Sequence, residues 1–258
     1  VSRLTLALFL CLLASTALAW DSTRLSIPIR INGLTVPYPV FSMFVMPGSA
    51  IDVGFIDAIG GAEISLGGRS YEFRQSDLRA SAQPGLEVLE VRNVASGEIV
   101  RINIFTLESA RQIDRNGFLN GYRIGDYPRE PLQGRDIYLP PEGFVEVTEA
   151  NLNTRLSPNF ELREFVSKQT ASYPKYLILR PELLLKLENI LASLNRAGHA
   201  TSDFVIMSGY RTPYYNRAIG NVPYSRHVYG GGADIYIDQN PADGVMDDVN
   251  GTIIASSV

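Results

Sequence analysis

The sequence predicts an α+β protein in two parts: an immunoglobulin-like β-sandwich, then a mixed domain of helices and strands. Three observations carry this. Over residues 25–132 apolar side chains recur with period two between turn residues, as half-buried antiparallel strands require. Further on the period changes, and Leu187, Ile190, Leu191 and Leu194 form the i, i+3, i+4, i+7 stripe of an amphipathic helix. A length of 258 residues suits one large domain or two ordinary ones.

The elements follow in order. Residues 1–19 place Arg3 before an unbroken apolar run that Ala17-Leu18-Ala19 closes with small residues, the pattern of a secretory signal peptide. The run is short for a transmembrane helix, so an exported protein without stable membrane insertion is expected. Residues 21–132 form the sandwich. In it Ile27, Ile29 and Ile31 alternate with Pro28 and Arg30, and Asn32-Gly33 offers a tight hairpin turn. Gly67-Gly68 offers a second, and Val100, Ile102 and Ile104 mark a third run. Residues 133–150, close to several prolines and glycines, read as a linker. Residues 151–258 form the mixed domain. A short helix over 161–167 is expected, capped by Ser157 or Asn159. Arg180-Pro181-Glu182 opens a longer helix that Gly198 ends. Short strands are expected at 204–207 and 233–237.

Composition excludes several functions. Net charge is −4, from 23 basic and 27 acidic residues without a basic cluster, so a nucleic-acid partner is not expected. One Cys rules out a disulfide framework and a multi-cysteine zinc site. With two histidines, His199 and His227, any metal site must lean on carboxylates. His199 follows Gly198 and reads as an exposed helix-end residue.

The chemistry concentrates between Ser208 and Asp238. His227 and Asp234 offer an imidazole nitrogen and a carboxylate oxygen, both good zinc ligands, across three glycines that let the backbone turn sharply. A His and an Asp at this spacing also suit a plain hydrogen bond within a turn. Near the end, Asp243, Asp247, Asp248 and Asn250 are rich in oxygen. Thr252 and Ile253 stand where a calcium loop needs a ligand and a turn glycine, so a solvated acidic loop is expected.

The wider string resembles the zinc D-alanyl-D-alanine carboxypeptidases of the Hedgehog/DD-peptidase fold. Ser208-Gly209-Tyr210-Arg211 matches their strand end, and Ser225-Arg226-His227 with Gly230 and Asp234 matches their Ser-x-His-x-x-Gly-x-Ala-x-Asp element. Gly232 replaces the family's Ala. The resemblance covers about 100 residues and does not reach the sandwich. It implies His227 and Asp234 as the first two ligands of a Zn2+ ion, and Arg211 as a catalytic cation that steadies an oxyanion or grips a carbonyl; a strand-end Arg in a structural ion pair is the alternative. It also implies Ser225 and Tyr210 as substrate-binding residues, with Ser225 orienting either His227 or the substrate; Tyr210, like Tyr214, Tyr224 and Tyr229, suits the wall of a peptide cleft and packing in the core equally well. The family's third ligand is a later His, with a general-base Glu before it, and after Asp234 this sequence has neither. A chain incomplete at its C-terminus is therefore expected; a degenerate homologue is the alternative. Two functions follow from the resemblance. One is an exported zinc peptidase acting on peptidoglycan stem peptides; the other is a non-catalytic cell-wall binding module.

Overall fold

The computed structural model describes residues 20–57, 60–72, 77–199 and 201–238, and the backbone of 252–255. The expected signal peptide and the acidic residues 243–250 lie outside them.

Both tight turns form where the residues allow positive φ. Asn32 and Gly33, at φ 45° and 82°, join β1 (Ile29–Ile31) to β2 (Leu34–Val36). After β3 (Val40–Val45), β4 (Val53–Phe55) pairs with the other edge of β1, giving a sheet ordered β2-β1-β4. Gly67 and Gly68 turn β5 (Ala62–Leu66) into β6 (Arg69–Glu72). The long strands β7 (Gly85–Asn93) and β8 (Ile99–Thr106) complete a five-stranded sheet ordered β3-β8-β7-β5-β6. Leu89 and Val91 on β7, and Val100, Ile102 and Ile104 on β8, are buried in alternation, as period two demands.

The topology departs from the expected immunoglobulin-like sandwich. β3 runs parallel to β8, with Val40 opposite Arg101 and Val45 opposite Thr106, so the larger sheet is mixed. The constant-type immunoglobulin fold is built from two antiparallel sheets. Alternation of apolar residues is the same whether a neighbour runs parallel or antiparallel, so period two does not determine strand order.

Residues 133–150 also depart from expectation. After β9 (Glu108–Ser109) and the hairpin of β10 (Phe118–Leu119) and β11 (Tyr122–Arg123), two 3-10 turns lead into β12 (Gly143–Val147). β12 is a buried central strand rather than part of a spacer. It pairs with β9 on one side and with β15 (Lys175–Leu177) on the other. Pro140 and Pro141 stand just before it, where a missing N–H interrupts no ladder.

β13 (Arg155–Ser157) and β14 (Phe160–Glu161) form a small hairpin. The helix expected over 161–167 is a 3-10 turn, Leu162–Phe165, closed by a capping box between Glu161 and Glu164. Ser157 and Asn159 do not cap it. They converge on Glu188 of α1 (Pro181–Arg196), whose carboxylate accepts from Ser157 Oγ at 2.6 Å, Asn159 N at 2.8 Å and Asn159 Nδ2 at 2.7 Å. That satisfies a carboxylate only 1% exposed. The helix itself follows its sequence signals, with Pro181 at its start and Gly198 at φ 93° past its end. Leu183, Leu184, Leu187 and Leu191 are buried on one face, each contributing about 1.5–3 kcal/mol by area removed from water.

The last elements are β16 (Val205–Ser208), α2 (Pro213–Ala218), β17 (Asp234–Asp238) and β18 (Thr252–Ala255), with a sheet ordered β16-β17-β18. One apolar core runs from Ile29 to Ile237 without a break between the two halves. Polar contacts cross the same boundary. Asn103 Nδ2 donates to the Arg155 carbonyl at 2.8 Å, and Asn120 Nδ2 to the Tyr176 hydroxyl at 2.8 Å.

Candidate metal centre

The site is built where β16 ends beside the start of β17. Ser208 pairs with Asp234, and the register shifts between Ile206 and Ser208. Such irregularities re-aim side chains at strand ends. Gly209 then passes so close to the 162–165 turn that a β-carbon on it would stand 2.6 Å from Phe165 Cα. Only glycine fits, and its carbonyl is thereby fixed toward His227.

His227 sits on a 3-10 turn, Arg226–Tyr229, that Gly230 ends at φ 66°. A β-carbon on Gly230 would stand 2.7 Å from the Ile178 carbonyl oxygen, so this glycine is required by both conformation and space. The Gly230 carbonyl accepts from Arg180 N at 2.9 Å, tying the turn to the start of α1. The chain then reverses through Gly231 and Gly232 into β17, bringing Asp234 back to His227.

The geometry specifies a tautomer. His227 Nδ1 lies 2.8 Å from the Gly209 carbonyl oxygen, which can only accept, so Nδ1 carries a proton. Nε2 lies 3.2 Å from Asp234 Oδ1. In the neutral ring a lone pair therefore faces a carboxylate oxygen, and a cation between the two, proton or metal, relieves their repulsion. Two zinc ligands at ordinary bond lengths and a tetrahedral angle stand about 3.3 Å apart. The His227–Asp234 pair thus fits two adjacent positions of a zinc shell. Its outer partner, a backbone carbonyl on Nδ1–H, is the usual device for orienting a metal-binding imidazole. Among the described residues no group of three His, Cys, Asp or Glu gathers to complete the shell.

Arg211 joins the pair from the side. Its Nη2 donates to Asp234 Oδ2 at 2.6 Å, its Nε to Ser208 Oγ at 2.8 Å, and its backbone N–H to the His227 carbonyl at 3.2 Å. With its side chain 12% exposed, the guanidinium fixes one carboxylate oxygen of Asp234 and leaves Oδ1 toward the imidazole. Ser208, a member of the matched motif with no role assigned from sequence, supports that cation.

The remaining site candidates fall elsewhere. Tyr210 is 2% exposed, and its hydroxyl pairs with that of Tyr127 at 3.0 Å. It is a core residue rather than part of a cleft wall, and burial raises its pKa well above the usual range. Tyr127 also donates to the Val228 carbonyl at 3.2 Å, a support for the His227 turn that comes from the first half of the chain and left no local signal. Ser225 precedes the 226–229 turn without a side-chain cap bond; Gly209, not Ser225, orients His227. Tyr229 packs edge-on against Tyr127 and Tyr138, at 5.7 and 5.3 Å between ring centres, and burial pushes its hydroxyl up to about 12. Tyr224 donates to the Glu130 carbonyl at 2.8 Å, and Tyr214 lies under the Arg123 guanidinium at 4.1 Å. His199 is exposed just after the end of α1.

Neither a curated protein nor a solved structure matches the chain. Residues 158–248 match a family model described as Peptidase M15, a zinc D-Ala-D-Ala carboxypeptidase family, and that segment contains both motifs, Arg211, His227 and Asp234.

Proposed function

We propose that this protein is an exported zinc peptidase that hydrolyses peptide bonds in peptidoglycan stem peptides. The observation that carries the reading is the His227–Asp234 pair, with Nδ1 occupied by Gly209 and Nε2 turned 3.2 Å from a carboxylate oxygen, inside a segment that matches Peptidase M15. In this reading His227 Nε2 and Asp234 Oδ1 hold the metal, which supplies Lewis acidity and acidifies a bound water. Gly209 keeps the imidazole in the metal-binding tautomer. Arg211 neutralises the far oxygen of Asp234 and keeps N–H donors beyond its two bonds for a developing oxyanion. Incubation of purified muropeptides with the zinc-supplied protein, followed by mass spectrometry, tests this. Shortened stem or cross-linking peptides are expected, and an unchanged muropeptide profile contradicts it.

A second reading is a non-catalytic cell-wall binding module, favoured by one observation. Asp234 already has a counter-charge in Arg211 at 2.6 Å, an arrangement that stands without a metal. Sedimentation with purified cell wall and no change in its peptides is the result this reading requires.

A further inference from the structure

The imidazole of His227 is seated by a contact between two elements, and each carries a carboxyl group. Phe165, at the end of the 162–165 turn, meets Gly209 where no side chain would fit, and its carbonyl accepts from Tyr210 N–H at 3.0 Å. The Gly209 carbonyl, just past β16, accepts in turn from His227 Nδ1 at 2.8 Å. The seat is therefore the closure of that turn on the end of β16. Glu164, beside Phe165, closes the turn through Oε2, which accepts from Glu161 N at 2.5 Å. It borders a hollow shared with Asp203, two residues before β16, and with Asp21, Arg155, Glu161 and Arg163. Glu164 is half-buried and Asp203 exposed. Arg163 is engaged by Glu161, its Nε donating to Oε2 at 2.7 Å. Among the described residues neither Glu164 nor Asp203 forms an ion pair.

We propose that Glu164 is a positioning residue for His227: with its carboxyl protonated the 162–165 turn closes on Gly209, and its ionisation drives the turn away from β16 and loosens the imidazole. Since Oε2 accepts a backbone N–H, the proton belongs on the other oxygen. An ionised Glu164 is partly stripped of water and repelled by Asp203 and Glu161, with Arg163 opposing in part. Opening the turn toward the hollow hydrates the charge and takes it away from Asp203. The closed turn consequently holds the proton more tightly than the open one. Burial first, then the charges of Asp203 and Glu161, raise the Glu164 pKa from 4.5 to about 7. Closure is thus favoured most at low pH and loses that advantage as pH rises through about 7. This role needs no metal and goes beyond the peptidase reading.

The full chain, isotope-labelled and metal-free, is titrated from pH 5 to 8 by NMR, following the Tyr210 amide proton and His227 Nδ1–H. Both signals move upfield as their hydrogen bonds lengthen. In the wild type they should share a transition with its midpoint at about 7. Glu164→Gln, which keeps an acceptor for the capping bond but carries no charge, should lose that transition. Asp203→Asn should move the midpoint down, because it removes one of the charges that hold the proton on Glu164. No shared transition in the wild type, or the same transition in Glu164→Gln, overturns the proposal; if Glu164→Gln fails to fold, an unmoved midpoint in Asp203→Asn does so. Zinc titrations carry the result to the site. The affinity of the wild type relative to Glu164→Gln should fall about threefold from pH 6 to 8, a ratio in which the ordinary gain from imidazole deprotonation cancels. A constant ratio overturns the link to His227. No zinc binding by either protein sinks the metal reading alone, and the two proton signals then decide the role of Glu164.

Discussion

At the scale of single residues, the Gly209 carbonyl decides which nitrogen of His227 faces Asp234, and Arg211 decides which oxygen of Asp234 faces back. Removing Arg211 leaves a carboxylate without its counter-charge but does not touch the imidazole. Arg211→Ala should therefore retain zinc while lowering peptide turnover by about 10², the scale of losing one oxyanion donor. A zinc titration beside a turnover assay checks this, and loss of the metal in that variant would make Arg211 a structural support only. The motif residues themselves were legible because glycines at 209 and 230 answer strict spatial demands that any sequence making this turn must meet. The roles expected for Tyr210 and Ser225 were not. A tyrosine beside the arginine of this motif looks the same in sequence whether its ring faces a cleft or the core, and only packing against Tyr127 settles which.

At the scale of elements, the glycine-ended turn and the 162–165 turn carry the site, and each makes a prediction. Gly230→Ala forces a side chain into left-handed φ and onto the Ile178 carbonyl at once. It should cost about 2–5 kcal/mol, summing left-handed strain and overpacking, and should lower the thermal midpoint while weakening zinc binding. Glu164, in the capping box, accepts from Glu161 N at 2.5 Å, and burial pushes its pKa from about 4.5 up to about 7. Asp203 and Glu161 add to that rise, and Arg163 opposes it. Because the folded value lies above the unfolded one, the folded state holds the proton more tightly. Stability from this group is fully present below about 4.5, falls as pH rises toward about 7, and stays low beyond. Denaturant midpoints from pH 4 to 8 should show that decline in the wild type and a flatter profile in Glu164→Gln; identical profiles would remove Glu164 as the cause. The hairpins at Asn32-Gly33 and Gly67-Gly68 and the stripe of α1 were readable, since each follows from local backbone or helical geometry. Strand β12 was hidden behind Pro140 and Pro141, and the capping of the 162–165 turn was misassigned because Ser157 and Asn159 serve a buried carboxylate 29 or more residues away.

At the scale of the whole molecule, the two halves share one core. β15, just before α1, pairs with β12; Tyr210 pairs with Tyr127; Asn103 holds the Arg155 carbonyl. A fragment of residues 151–258 would expose β15 along one edge and strip the Tyr127 support from the His227 turn. It should fail to unfold cooperatively by circular dichroism, where the full chain unfolds cooperatively; a sharp transition in the fragment would show that the halves are independent. This continuity, like the parallel pairing of β3 with β8, is invisible to periodicity because it depends on which distant segments meet. No helix of the described residues is long and apolar enough to cross a membrane.

Whether His227 and Asp234 hold one zinc ion between them is decided by calorimetric titration of zinc into the apo protein. Wild type should bind one equivalent, His227→Ala and Asp234→Ala should lose it, and Tyr210→Phe, which removes only a core hydroxyl, should keep it. Equal zinc binding by the wild type and His227→Ala, or none by the wild type, would contradict zinc ligation by this pair.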